Sequence, residues 1–290
     1  MGHKFSEIFQ TYRRNKLVID GVPVKVPYWA VDKMKLEKFC VDNAIPRPEV
    51  YQSWSKPSEI DLSGLPDEFV IKPSNLNSSK GVMVLERWED GVFYDHYNGG
   101  TASLHDVVVE QSRHLDWIKK HEPHRLPKYR VMAQERVVDL GGNSGPVTDY
   151  KFWMIGNSAE YIRANEGGDY ETIDICFYDS EFNEIPVCNG MFQLNPKDAR
   201  PMNHPDVPVE WRKRMLEFAS MVADKVGGTF CRVDLYLTPN GIRLGEITPT
   251  PGSPFNGHYF KFTEEYDYAL GDKWMAELKR YAEAKKATKQ

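Results

Sequence analysis

Apolar residues recur along this chain with two periods. The spacing predicts helices where they return every three or four positions, and strands where they alternate or form short runs between turn residues. Val31, Met34, Phe39 and Cys40 share one face of a short helix over 31–43, with Asp32 in its first turn. That helix must stop before Pro46-Arg47-Pro48, because proline disfavours the helical conformation in the residue before it. A loop rich in Pro and Ser over 53–66 leads to the extended run Phe69-Val70-Ile71-Lys72-Pro73. A polar stretch over 74–81 joins that run to a second strand at 82–85. Residues 105–121 read as a helix on Val108, Leu115 and Ile118, and 129–135 as a strand followed by a Gly-rich turn at 141–146. Further strands are expected at 151–155, 159–164 and 172–178.

Trp211, Met215, Phe218, Ala219, Val222 and Val226 form the stripe of an amphipathic helix, and Gly227-Gly228 ends it. Two strands, at 229–237 and 242–247, flank Thr238-Pro239-Asn240-Gly241, a strong hairpin signal. A closing helix spans 264–284. Helices alternating with mainly antiparallel hairpins predict an α+β (mixed α/β) fold.

The terminal hairpin carries the first candidate chemistry. Asp234 and Glu246 lie symmetrically about residue 240, so the two carboxylates are expected close to opposite one another. Opposed carboxylates repel, and a divalent cation such as Mg²⁺, which takes hard oxygen ligands, turns that repulsion into binding. The competing reading is a solvated face with two unrelated acids. Lys72 closes a half-buried strand, where its ammonium can meet a phosphate as a point charge. The loop after it offers backbone N–H groups, Ser78, Ser79 and Lys80. An ordinary hairpin loop with a surface lysine would look the same, and the GxxxxGK[ST] pattern is absent. Lys151, in Asp149-Tyr150-Lys151-Phe152, and Arg163 could face phosphate, or pair with acids such as Glu166 and Asp169. His258 is a further catalytic candidate, although a single loop histidine usually has no such role.

Composition narrows the field. In 290 residues, 37 Lys+Arg stand against 42 Asp+Glu, a net charge of −5. This argues against a general nucleic-acid binder, which needs surplus cations to displace counterions from phosphate. No apolar run exceeds four residues, so no helix is expected to cross a bilayer. Cys40, Cys176, Cys188 and Cys231 are scattered and form no CxxC, as expected of buried thiols in a reducing cytosol. No histidine or cysteine cluster has zinc spacing. The start, Met1-Gly2-His3-Lys4-Phe5-Ser6, formally fits a myristoylation pattern. With no charged-then-apolar leader, a cytoplasmic location is expected.

Taken in order, six pieces resemble the ATP-grasp superfamily, and within it the branch similar to a teichuronic-acid biosynthesis protein (TupA-like). They are Asp32-Lys33-Met34-Lys35, Phe69-Val70-Ile71-Lys72-Pro73, Ala133-Gln134-Glu135-Arg136-Val137-Val138, Asp149-Tyr150-Lys151-Phe152, Arg232-Val233-Asp234-Leu235-Tyr236 and Gly245-Glu246-Ile247-Thr248-Pro249-Thr250-Pro251-Gly252. The stretch at 264–272 also looks like that branch, and the resemblance spans about residues 30–275.

The resemblance implies two α+β subdomains enclosing an ATP site, here residues 67–137 and 138–290, preceded by a segment 1–66 that carries the lead helix. About 30 residues precede that helix, too few for the separate N-terminal α/β domain of many relatives. It implies that Lys72 contacts the nucleotide phosphates, that Ser78, Ser79 and Lys80 form a lid, and that Gln134, Glu135, Arg136 and Val137 lie beside adenine. Asp234, Glu246 and Thr248 would hold Mg²⁺, with Mn²⁺ as the alternative, and Arg232, Lys151 and Arg163 would serve the chemistry. Thr248 stands where many relatives have Asn, and the lid is serine-rich rather than glycine-rich. The implied activity is a carboxylate–amine ligase working through an acylphosphate on small molecules. An ATP-dependent kinase is the runner-up, and a cell-surface polysaccharide glycosyltransferase ranks lower because no DxD motif precedes a nucleotide-sugar fold.

Overall fold

The computed structural model describes residues 2–76, 79–89, 91–142, 147–166, 174–185, 190–194, 207–252 and 260–288. Ser78, Cys188 and His258 lie outside the described residues. Packing divides the chain into two compact units, Val31–Val138 and Met1–Ala30 with Asp139–Gln290. The first 66 residues, expected as one segment, are thus shared between the units.

The chain begins with α1 (Phe5–Tyr12) and a two-residue ladder, β1 (Val18–Ile19) against β2 (Val22–Pro23). The unit Val31–Val138 opens with α2 (Lys33–Asp42), whose N-cap Asp32 accepts hydrogen bonds from the backbone N–H of Met34 and Lys35. Six strands follow: β3 (Val50–Trp54), β4 (Glu68–Pro73), β5 (Met83–Glu89), β6 (Val92–Asp95), β7 (Thr101–Ser103) and β8 (Val131–Glu135). Between the last two lies α3 (Leu104–His121), which Ser103 and Asp106 start with a capping box. The strands form one antiparallel sheet in the order β3-β8-β4-β5-β6-β7. Here β3 extends into the stretch expected as loop, because Trp54 is buried against the core of this unit. Phe69, Ile71, Leu85 and Ala133 share that core with Val107 and Ile118 of α3. Side chains alternate across a sheet, so Val70, Lys72, Met132 and Gln134 lie on the opposite face.

The second unit adds β9 (Asp149–Ile155), β10 (Ser158–Glu166), β11 (Asp174–Tyr178), β12 (Glu184–Ile185) and β13 (Phe192–Leu194). Next come α4 (Val209–Val226), β14 (Phe230–Thr238), β15 (Gly241–Thr248), β16 (Phe260–Phe262) and α5 (Glu264–Ala287). Its main sheet is antiparallel in the order β12-β11-β10-β9-β14-β15, and β13 pairs with β16. Helix α4 packs on β9, β10 and β14 and ends at Gly227, whose φ of +68° lies in the left-handed region where a Cβ is penalised.

Trp153, Tyr161 and Phe230 of the sheet cluster with Phe5, Phe9 and Tyr12 of α1 and with Leu270 and Trp274 of α5. The docking of α1 on α5 is close. A Cβ at Gly271 would lie 1.8 Å from the His3 carbonyl oxygen. Asp267 accepts from the Ser6 N–H and hydroxyl at 2.8 and 2.6 Å. Cys40, Cys176 and Cys231 are buried free thiols, and burial pushes Cys40 to about 11 and Cys231 to about 12. No helix among the described residues is long and apolar enough to cross a membrane.

Candidate active site

Four strands bring four charged side chains into one row. Arg163 on β10 stands opposite Lys151 on β9, Lys151 opposite Asp234 on β14, and Asp234 opposite Glu246 on β15. Directly opposed residues of antiparallel strands share a face, so two cations and then two carboxylates run across the sheet. The neighbouring row on that face is Tyr161, Trp153, Arg232 and Thr248. Its two aromatic members belong to the cluster with α1 and α5, so one flank of the charged row is anchored in the core of this unit.

The pairing of Asp234 with Glu246 does not come from simple symmetry. The turn pairs Thr238 with Gly241, and regular counting from there would set Asp234 against Gly245. A bulge between Asp234 and Leu235 leaves Gly245 as the extra residue and returns Glu246 to the face of Asp234.

Asp234 is 2% exposed and accepts three hydrogen bonds from two cations. Arg232 donates through Nε to Oδ1 and through Nη2 to Oδ2, both at 2.6 Å, a bidentate grip. Lys151 Nζ donates to Oδ2 at 3.1 Å and also to Asp149. Burial works against the charge on Asp234, but Arg232 and Lys151 outweigh it and hold the carboxyl below the usual aspartate range. Burial likewise opposes the charge on Arg232, and Asp234 together with Glu246 more than restores it. Burial, with Arg232 nearby, lowers Arg163 to about 10, which leaves it charged at neutral pH. Asp149 moves the opposite way to Asp234. Burial raises it against the pull of Lys151, and the charge on Asp234 adds to the rise.

A carboxylate offers about four lone-pair sites, so the three bonds to Asp234 leave one, on Oδ1. With Glu246 directly opposite, hard oxygen donors are available for a divalent cation. The donor set fits Mg²⁺, which takes one or two protein carboxylates and completes its shell with water and phosphate oxygens. Among the described residues no group of three or more Asp, Glu, His or Cys side chains is arranged for a metal. The Thr248 hydroxyl, expected among the metal ligands, accepts from Arg232 Nη2 at 3.0 Å.

The nucleotide-site expectations fall on the other unit. Lys72 lies opposite Met132, and Gln134 opposite Val70, on the sheet face away from the core shared with α3. Glu135 points to the other face and accepts from the Glu49 N–H at 3.0 Å, closing the β3–β8 edge. Arg136 pairs with Glu68 at 3.2 Å, and Val137 follows just beyond β8, half-buried. Ser79 has a φ of +57°, and the Lys80 ammonium rests 4.3 Å over the Trp117 ring. At Gly81, with φ +72°, a Cβ would meet Pro73 and His114, so the loop passes too close for any larger residue.

Sequence reasoning assigned no role to Asp149, Tyr236 or Gly245. For Asp149 a signal existed, since residues two apart on a strand share a face and Asp149 therefore accompanies Lys151. Tyr236 accompanies Asp234 by the same rule. The bulge at Gly245 left no such trace.

Comparison with known proteins places the chain. A family model described as TupA-like ATP-grasp matches residues 23–275. No curated protein sequence matches. Among solved structures, the D-alanine–D-alanine ligase of Bacillus anthracis superposes with a TM-score of 0.49 at 14% identity, covering 90% of this chain and 70% of the ligase. The ATP-grasp ligase PsnB, complexed with a minimal precursor, gives a TM-score of 0.47 at 12% identity over 94% and 68%. The L-amino acid ligase of Bacillus licheniformis gives a TM-score of 0.48 at 13% identity over 86% and 49%. Since the family model covers most of its length, with the motifs in order, the chain belongs to the TupA-like ATP-grasp family.

Proposed function

We propose that this chain is an ATP- and Mg²⁺-dependent carboxylate–amine ligase, forming an amide bond on a small metabolite, a peptide or a saccharide acid. The observation that carries the reading is the row Arg163, Lys151, Asp234 and Glu246, with Arg232 laid along Asp234. The acidic end suits a divalent cation and the cationic end an anionic acceptor. Arg232 stands at the boundary between them.

Asp234 and Glu246 would hold the divalent cation, whose charge would offset that of the phosphate oxygens. Arg163 and Lys151 draw in the substrate carboxylate and hold it still. Its oxygen attacks the γ-phosphorus of ATP, the bond to the β–γ bridging oxygen breaks, and ADP leaves. Arg232, held in place by Asp234 and Thr248, meets the charge that develops. An amine then attacks the acyl carbon, loses a proton and expels phosphate.

For the other unit, Lys72 is assigned in this reading to the nucleotide phosphates, and Ser79 and Lys80 to a lid loop. Residues 134–137 lie beside adenine. Excluding water during the step protects the acylphosphate from hydrolysis.

A kinase would use the same nucleotide grip but needs a hydroxyl acceptor and a base to deprotonate it. Two buried cations beside the site favour an acceptor that is already an anion. The test is phosphate release from ATP with panels of acids and amines, in parallel with hydroxylamine trapping. The ligase reading expects release that needs both co-substrates, and a hydroxamate when hydroxylamine replaces the amine. Stable transfer of phosphate to a hydroxyl compound, without hydroxamate, would overturn it in favour of the kinase.

A further inference from the structure

Gly245 is the unpaired residue of the bulge that sets Glu246 opposite Asp234. Its φ is not in the left-handed region, so backbone conformation alone does not require glycine there. Space does. A Cβ at Gly245 would lie 2.7 Å from Cε2 of Tyr236, 3.0 Å from Cζ and 3.2 Å from the hydroxyl. Tyr236 lies two residues beyond Asp234, on the same face of β14, so its ring covers the bulge from the side of the charged row.

We propose that Gly245 and Tyr236 are a positioning pair for the metal acids: the glycine supplies the extra residue that turns Glu246 towards Asp234, and the tyrosine ring seated on it keeps the bulge in that form. The inference rests on the metal reading of Asp234 and Glu246 given above. Neither residue bonds the metal or the substrate in this scheme. Without the bulge, Glu246 would face the other side of the sheet with Val233, because a one-residue change of register reverses every side chain beyond it. With a side chain at 245, the ring and the bulge cannot both keep their places, and the carboxylate geometry loosens while the rest of the sheet remains.

The test is calorimetric ATP binding over a series of Mg²⁺ concentrations, with the full-length chain. Gly245→Ala should raise the Mg²⁺ concentration for half-maximal enhancement of ATP binding at least tenfold, and leave ATP affinity in EDTA within twofold. In a Tyr236→Ala background, where the clash is gone, the same glycine substitution should change the Mg²⁺ midpoint less than threefold. A Mg²⁺ midpoint within twofold of wild type in Gly245→Ala overturns the proposal, as does a tenfold rise that persists in the Tyr236→Ala background. Should Gly245→Ala alone fail to fold, the double variant decides: folding with a Mg²⁺ midpoint within threefold of Tyr236→Ala supports the pair, and failure to recover overturns it. Glu246→Ala separates this inference from its foundation. If that variant also leaves the Mg²⁺ dependence unchanged, the metal reading itself fails.

Discussion

Asp234→Asn keeps the shape of the side chain and removes the charge that organises the row. In the native protein that carboxylate, 2% exposed, accepts two bonds from Arg232 and one from Lys151. The amide would leave Arg232 without a buried counter-charge at contact distance and turn an N–H group towards a cation. Removing one partner of a buried ion pair costs about 3–5 kcal/mol. Lys151 retains Asp149, so the lower end applies. At roughly 2–4 °C per kcal/mol for domains of about 150–250 residues, a loss of about 3 kcal/mol lowers Tm by about 6–12 °C.

The effect also has a pH signature. The folded-state pKa of Asp234 lies below the usual value of about 3.9, so its stabilisation is complete above that pH and is withdrawn as pH falls through the folded value. The Tm gap between wild type and Asp234→Asn should therefore be full from pH 7 down to about pH 4 and narrow only below that, as pH falls towards the depressed folded value. Scanning calorimetry across that range, with Lys151→Met and the double variant completing a cycle, measures both. A Tm loss under about 2 °C at pH 7, or a gap that stays constant into acid, would refute the charge accounting.

Lys72→Ala should leave the fold intact and weaken ATP binding about 30-fold, the equivalent of one charge-assisted hydrogen bond of about 2 kcal/mol; unchanged affinity by calorimetry would remove Lys72 from the nucleotide site. Gly271→Ala places a methyl 1.8 Å from the His3 carbonyl oxygen and 2.6 Å from the Phe5 nitrogen. It should cost about 3 kcal/mol or more as α1 is pushed off α5, seen as a lower Tm and faster proteolytic clipping of the N-terminal segment, whereas wild-type resistance would contradict the close crossing.

Much of this protein was legible because local chemistry and tertiary context agree. Asp32 caps α2, the apolar stripe of α4 ends at Gly227, and the turn at 238–241 joins β14 to β15. Each is a signal written within a few residues. The strand β3 is not marked by local pattern, since Pro and Ser around it obscure Trp54, which the core of the unit recruits with Tyr51 packed against it. Helix α1 also carries a local signal, with Phe5, Ile8, Phe9 and Tyr12 at helical spacing, and only the partners that bury this stripe, such as Phe230 and Trp274 more than 200 positions away, depend on the fold.

The candidate site divides in the same way. Residue types, motif order and the nearness of Asp234 to Glu246 belong to the sequence alone, because a hairpin fixes its strands within a short stretch of chain. Which charges actually touch was decided by the sheet. The order β10-β9-β14-β15 sets Arg163 and Lys151 beside Asp234, and strand order cannot be read from local pattern. Arg232 was expected to serve the chemistry directly, and packing gives it Asp234 and Thr248 as its resting partners. The bulge at Gly245 is the sharpest case. Its position depends on the ring of Tyr236 nine residues earlier lying where a Cβ would go, and close packing of that kind exists only once the chain has folded.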